Sequence, residues 1–279
     1  MIGVFNTSAD IVNELSKFFT ITSPVDFPKI KGLFIDFVDK NNSNYIQQGA
    51  ILEYYLNKKI PIIIFDRYLS ITYKEYTWLK KFKVFLFEPA INNRSEFTYL
   101  PQWFNKDRII YRGNTRHVDI GYFCKNLNLN INSFETYLLE YAKLYPDSKI
   151  QYSTNLLKSY KQKEYFGFID KCEYINFYDT KFTLALDNQQ NYNIGYLNKN
   201  VFNAIYNGCL PMLPVEHKYF HCMFKNLVVS NIKELNFYVK SFSNISEIAI
   251  DDIVDNIEKY YPEFTLSYAT DIIKLYLEK

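Results

Sequence analysis

Three of the chain's five arginines, Arg108, Arg112 and Arg116, fall within nine residues, in a chain where lysine carries nearly all the other positive charge. Gly113 and Asn114 stand between the last two. Guanidinium groups bind oxyanions bidentately, and a glycine lets backbone N–H groups come close, so this cluster is suited to a phosphate or diphosphate. A second polar group follows at Lys199, Asn200 and Asn203, preceded by Asp187, the amide-rich stretch NQQNYN and Tyr196. Side-chain amides both donate and accept, which suits sugar hydroxyls. A third feature is Asp66-Arg67, at the end of the apolar run PIIIF. A carboxylate in that place can take a proton from an attacking hydroxyl; the competing reading is an aspartate that caps the next turn or pairs with Arg67. Just beyond it, Tyr68, Tyr73, Lys74, Tyr76, Trp78, Lys80, Lys81 and Lys83 mix aromatic and basic side chains. That mixture can neutralise nucleic-acid phosphates and stack on a base, and it equally describes an amphipathic helix with a lysine-flanked end. His117, His217 and His221 lack metal-ligand spacing, and turn or surface roles are expected of them.

The elements that must position these groups alternate. Apolar runs at residues 2–5, 32–38 (GLFIDFV), 61–65 and 84–87 read as strands, and residues 10–19, 45–56 and 73–79 have helical spacing. Continuous apolar strands belong to parallel sheets covered on both faces. The pattern restarts with a strand at 108–111 (RIIY), a helix at 133–144 capped by Ser133, and strands at 149–152 and near 165–169. Residues 181–212 then read as a βαβ unit: strand 182–186, polar loop, helix 199–206, the stop Asn207-Gly208, and strand 209–213. This places the polar loop and a helix N-terminus at the carboxyl end of a strand, where open α/β sheets bind ligands. A strand at 227–230 and helices at 251–260 and 268–277 follow. The fold class is α/β, with two Rossmann-like domains facing across a cleft, the first over 1–104 and the second over 105–255.

Composition narrows the class. The 279 residues are 48% apolar, enough for two cores, and the net charge of +2 restricts any nucleic-acid contact to a local patch. No apolar run reaches membrane-spanning length and no secretory leader pattern opens the chain, so a cytoplasmic protein without a membrane partner is expected. Cys124, Cys172, Cys209 and Cys222 lack CxxC spacing, and reduced, buried thiols are expected. Tyr (26), Phe (24), Asn, Ile and Lys are abundant and Gly (8) is rare. These are the products of A/T-rich codons, so an aromatic cluster alone is weak evidence for stacking.

Several segments together resemble the DNA β-glucosyltransferases of T-even phages, a GT-B family. They are the Asn/Tyr-rich loop with the helix opening Asn200-Val201-Phe202, the Met-Leu strand and His-containing turn after it, and residues 227–239. The glycine and trailing arginine at 108–116, the aromatic-x-Gly-x-Ile turn ending at Ile169, and Asp66 after a strand match as well. The resemblance implies a nucleotide-sugar donor, a UDP-sugar, bound by Gly113, Asn114, Arg116, the backbone of Ile169, Asp187, Tyr196, Lys199, Asn200 and Asn203. It implies Asp66 as general base of an inverting single displacement, and acceptor DNA held by Arg67, Lys74, Lys80, Lys81 and Lys83. Residues 256–279 are expected to pack back on the first domain. No cofactor is implied, though Mg2+ or Mn2+ is compatible with it. The expected acceptor is 5-hydroxymethylcytosine in duplex phage DNA, acted on by a monomer in the host cytoplasm. Where the family has an arginine and a ribose-binding glutamate, this chain has Asn200 and Asn203, with Lys199 adjacent; a second arginine is replaced by Ile120. Two other readings stay open: a GT-B enzyme acting on a glycan, lipid or protein, as the fucosyltransferase-like pattern KFTLALDN…NAIYNG suggests, or a binding protein that has lost catalysis.

Overall fold

The computed structural model of the chain describes residues 1–23, 30–67, 69–81, 84–110, 115–123, 138, 140–153, 169–171, 176–185 and 189–278. They fall into two compact units, one of Met1–Trp103 with Glu263–Lys279, the other of Phe104–Pro262. Among the described residues, no helix is long and apolar enough to cross a membrane.

The first unit is built on β1 (Ile2–Phe5), β2 (Ile21–Thr22), β3 (Gly32–Asp36), β4 (Ile62–Phe65), β5 (Val84–Glu88) and β6 (Thr98–Tyr99). They form one sheet of order β2-β1-β3-β4-β5-β6 with parallel pairs throughout. Alternate residues of the apolar strands enter two separate cores, which is why the strands show no polar face. Leu33, Ile35, Ile62 and Ile64 pack with Ile51, Leu52 and Tyr55 of α2 (Tyr45–Asn57) and Leu79 of α3 (Tyr73–Leu79). Phe34, Ile63, Phe65 and Phe87 pack on the other side with Leu15 of α1 (Ala9–Ser16), Trp103, and Ala269 and Ile273 of the C-terminal helix (Leu266–Leu277). Gly32, at the start of β3, gives the Leu277 side chain its place, since a Cβ there would run into a Leu277 methyl carbon.

The second unit holds β7 (Val118–Phe123), β8 (Ile150–Ser153), β9 (Ile169–Lys171), β10 (Thr180–Leu184), β11 (Leu210–Pro214) and β12 (Val228–Val229). Their order is β12-β11-β10-β7-β8-β9, again parallel throughout. Its helices are α4 (Glu140–Leu144), α5 (Gln189–Ile194), α6 (Asn200–Tyr206), α7 (His221–Phe224) and α8 (Ile232–Tyr260). Counted from β7, this is the dinucleotide-fold order 3-2-1-4-5-6, which reverses between β7 and β10; the first sheet reverses between β1 and β3. Ligands of open parallel sheets settle outside the carboxyl ends of the strands at such reversals.

Four expectations need revision. Residues 108–110 of RIIY are not a strand: Lys106–Arg108 is a 3-10 turn, and the Ile110 N–H bonds to the Tyr206 carbonyl at 2.8 Å instead of joining a ladder; Tyr111 lies outside the described residues. The polar loop after β10 contains the helix α5. Residues 251–260 are the end of the 29-residue α8, so the chain rejoins the first unit only at Glu263. Cys222 is exposed, whereas Cys209 is buried and burial pushes its thiol pKa up; Cys124 and Cys172 lie outside the described residues.

Candidate functional site

The βαβ unit read from the sequence is present and sits at the reversal of the second sheet. β10 and β11 are parallel with Phe182 opposite Leu210, and α5 and α6 cross between them. Gly195, at φ 68, ends α5, and the Tyr196 N–H returns to the Asn191 carbonyl at 3.0 Å. The turn is fixed from below by His217, which is 1% exposed and holds Nε2 3.0 Å from the Tyr196 carbonyl. That acceptor requires the proton on Nε2, and burial pushes the imidazole down to about 4, so His217 is neutral at physiological pH. Its ring packs on Tyr192 and Phe220. It is a buried pin, not the surface or turn residue expected.

On α6, Val201, Phe202, Ala204, Ile205 and Tyr206 are buried, and Tyr206 stacks on Phe104 with its ring planes 11° apart. Lys199 precedes the helix, and the Asn198 carboxamide oxygen accepts the Asn200 N–H at 3.0 Å. The side-chain amides of Asn200 and Asn203 have no hydrogen-bond partner among the described residues, and both residues are half-buried. Lys199, Asn200 and Asn203 therefore stay together at this edge with one positive charge and two uncommitted amides. Tyr196 belongs to the core beneath them. Another helix start on this edge, that of α8, is already filled. The Asn231 side chain accepts the Lys233 and Glu234 N–H groups of α8, and Glu234 accepts the Ser230 N–H and hydroxyl. Those Ser230 bonds hold the Glu234 carboxyl below its usual range.

Arg116 lies elsewhere. It precedes β7, and its guanidinium donates to the carbonyls of Phe177 (2.7 Å), Thr180 (2.9 Å) and Asn207 (3.0 Å). Those carbonyls flank the amino ends of β10 and β11, so Arg116, 7% exposed, fastens the edge opposite the polar amides. Gly208, at φ 69, leaves room for it, since a Cβ there would stand 2.6 Å from the guanidinium. The reading of Arg116 as a diphosphate ligand at the helix start is corrected accordingly. Ile169 opens β9 and pairs with Ile150, which pairs with Ile120, which pairs with Phe182. It is thus three strands, on the order of 14 Å, from β10 and below the carboxyl end, so its backbone does not join Lys199 and Asn203. Gly113, Asn114 and Asp187 lie outside the described residues.

The first unit's carboxyl edge is crowded with charge. Asp66 is fully buried and accepts the Ser70 N–H (2.7 Å) and hydroxyl (3.1 Å), the Ile71 N–H (2.9 Å) and Arg94 (2.7 Å). Arg94 also binds Glu88 through Nε at 2.6 Å and donates to the Ile71 carbonyl at 3.1 Å. Burial raises the Glu88 carboxyl and Arg94 opposes that rise. With four donors on its two oxygens, Asp66 clamps the loop after β4, and its lone pairs do not face an acceptor hydroxyl; the general-base assignment is corrected to a structural one. Arg67, 4% exposed, pairs with Asp36 at 2.9 Å and covers the Phe65 ring, so it offers nothing to a surface phosphate. Lys74, Lys80 and Lys81 are exposed, with Lys80 over the Tyr76 ring; Tyr68 and Lys83 lie outside the described residues. The sequence reading passed over Arg94, because its partners are 28 and 6 residues away. Among the described residues, no group of three His, Cys, Asp or Glu is arranged to hold a metal ion.

No protein-family model matches the chain. No curated protein matches its sequence. Solved structures match its fold. A mutant of the Thermobaculum terrenum O-GlcNAc transferase superposes with a TM-score of 0.57 at 6% identity, over 99% of this chain and 66% of that one. A glycosyltransferase from Rickettsia africae gives 0.49 at 10% identity, over 99% of this chain and 89% of the other. The glycotransferase of kitacinnamycin gives 0.45 at 8% identity, over 90% and 76%. The first of these likenesses shows the fold: the chain is a GT-B-like pair of Rossmann-like units, similar in architecture to a solved glycosyltransferase.

Proposed function

We propose that the chain is a glycosyltransferase that binds a nucleotide-sugar donor, a UDP-sugar first among candidates, at the carboxyl edge of its second unit. One observation supports this reading: the Asn200 and Asn203 side-chain amides, without a hydrogen-bond partner among the described residues, lie beside Lys199 at the start of α6, on the carboxyl edge next to the reversal of strand order. A lysine beside amides suits a diphosphate and its sugar hydroxyls. Asp187, three residues after β10 in the sequence, is the carboxylate to test with them. For the acceptor, we take the hydroxymethyl group of 5-hydroxymethylcytosine in duplex DNA, attacked in a single inverting displacement. What supports it is the resemblance and the exposed Lys74, Lys80 and Lys81 on and after α3, a patch suited to phosphates. The test is incubation with hydroxymethylcytosine DNA and a panel of UDP- and GDP-sugars, read by nucleoside mass spectrometry. A glycosylated nucleoside is expected. UDP release without a DNA product would move the acceptor to a glycan, lipid, protein or small molecule. No binding of any nucleoside diphosphate by calorimetry would remove the transferase reading altogether.

A further inference from the structure

The first sheet has its own reversal, between β1 and β3, and a cavity lies beside it. Gln48 of α2 spans the reversal: its carboxamide oxygen accepts Asn6 Nδ2 (3.2 Å), after β1, and the Val38 N–H (3.0 Å), after β3. Next to Gln48, Phe37, Tyr45, Gly49, Leu52, Glu75 and Trp78 line a half-open pocket of about 190 Å3. Roughly 150 Å3 of apolar space is enough to hold a benzene ring.

Gly49 makes the space. It is the fifth residue of the 13-residue α2, an interior position where glycine weakens a helix relative to alanine. No heavy atom lies within 4 Å of where its Cβ would stand, so no neighbour demands a glycine there. What the missing side chain does is leave the cavity open. Three aromatic residues, Phe37, Tyr45 and Trp78, offer ring faces and edges to an occupant. The polar group at hand is Glu75. Its Oε2 accepts the Thr72 N–H (2.7 Å) and hydroxyl (2.8 Å), and its Oε1 accepts the Tyr45 hydroxyl at 2.9 Å. A carboxylate oxygen takes two donors, so Oε1 has room for one more. The Tyr45 hydroxyl, which burial and the Glu75 bond hold above its usual range, is a donor at neutral pH and fills one of the two places on Oε1.

We propose that this cavity binds a small molecule containing a flat aromatic ring with a hydroxyl group, the ring between Phe37 and Trp78 and the hydroxyl on Glu75. A bare sugar would leave most of its hydroxyls unpaired against this lining, and a pyrimidine would leave its amide edge unpaired. Binding at this cavity does not depend on the transferase reading.

The probe is 4-methylumbelliferone, with 4-methylcoumarin as the control lacking the hydroxyl, titrated into the full chain by NMR. Expected are saturable binding of the first, at least tenfold weaker binding of the second, and nuclear Overhauser contacts from the probe to the Trp78 indole. Gly49→Leu should reduce affinity at least tenfold while Tm stays or rises, and UDP affinity should not change. Absence of saturable binding, contacts to residues outside the cavity, or wild-type affinity in a folded Gly49→Leu protein would overturn the proposal. Displacement of the probe by a hydroxymethylcytosine duplex, but not by a cytosine duplex, would make the occupant an extruded base and overturn the small-molecule assignment. Probe binding without calorimetric binding of any nucleoside diphosphate would leave the cavity standing and remove the transferase reading alone.

Discussion

The carboxyl edges of the two sheets occupy equivalent places in their units and have opposite chemistry. In the first, five charged groups neutralise one another: Asp36 with Arg67, and Asp66 and Glu88 with Arg94. In the second, two side-chain amides without a hydrogen-bond partner among the described residues lie beside Lys199, above a neutral histidine. The difference separates residues that look catalytic from residues that are available. A buried carboxylate with four donors is part of the scaffold, whereas half-buried amides without partners have capacity left for a ligand.

The largest expected effect breaks the self-neutralised edge. Arg94→Ala would leave Asp66 and Glu88 buried without their cation and should cost about 3–5 kcal/mol in urea unfolding; a loss below 1 kcal/mol would mean the network carries little. The pin beneath the open edge should titrate. His217 has a folded pKa of about 4 against its ordinary 6.5. The neutral form is favoured in the folded state, so its contribution is present above pH 6.5 and is lost as pH falls towards 4, on the order of 3 kcal/mol in all. Unfolding curves of His217→Phe should lack that slope, and an identical slope would assign it to other groups.

A sharper contrast compares the two edges of the second sheet. Lys199→Ala combined with Asn203→Ala should weaken nucleoside diphosphate binding by about 1.5–3 kcal/mol, the usual worth of charge-assisted hydrogen bonds. Arg116→Ala should instead lower stability by about 1–3 kcal/mol and leave that affinity unchanged. Calorimetry that gave the reverse would return Arg116 to the donor site. Asp66→Asn should likewise act on stability, with turnover per folded molecule changed only a few-fold. A loss of about 100-fold in a fully stable protein would restore Asp66 as the base. The smallest effect is that of replacing Lys74, Lys80 and Lys81 together, which should flatten the salt dependence of any DNA binding by about 0.9 per lost phosphate contact.

Much of this architecture is legible in the residues. The uninterrupted runs GLFIDFV and PIIIF read as doubly covered parallel strands, and Asn207-Gly208 marks the end of α6, where Gly208 takes a positive φ. The failures share a cause. A strand read at RIIY puts Arg116 after a strand and so on the ligand edge; the strand that exists, VDIGYF, puts it before one and on the opposite edge. Asp119 and Gly121 disguise β7, yet Asp119 is satisfied by Lys181 at 2.6 Å and by the Lys149 N–H at 3.0 Å, bonds to distant segments that no local pattern displays. Asp66 stood where a base would stand, but its fate depends on Arg94, 28 residues later. Local pattern finds the elements; which groups remain unspent depends on tertiary partners.

The return of the chain at Glu263 also has a kinetic side. During synthesis the second unit, continuous from Phe104 to Pro262, has all its residues before the first unit does. Phe34, Ile63, Phe65 and Phe87 have Leu15 and Trp103 on their side of the sheet and wait for Ala269 and Ile273 to complete its cover. The usual order, in which the N-terminal part of a nascent chain completes itself first, is therefore inverted. The first unit closes last, and its exposed apolar face makes that interval the one in which a chaperone, or another nascent chain, has something to hold.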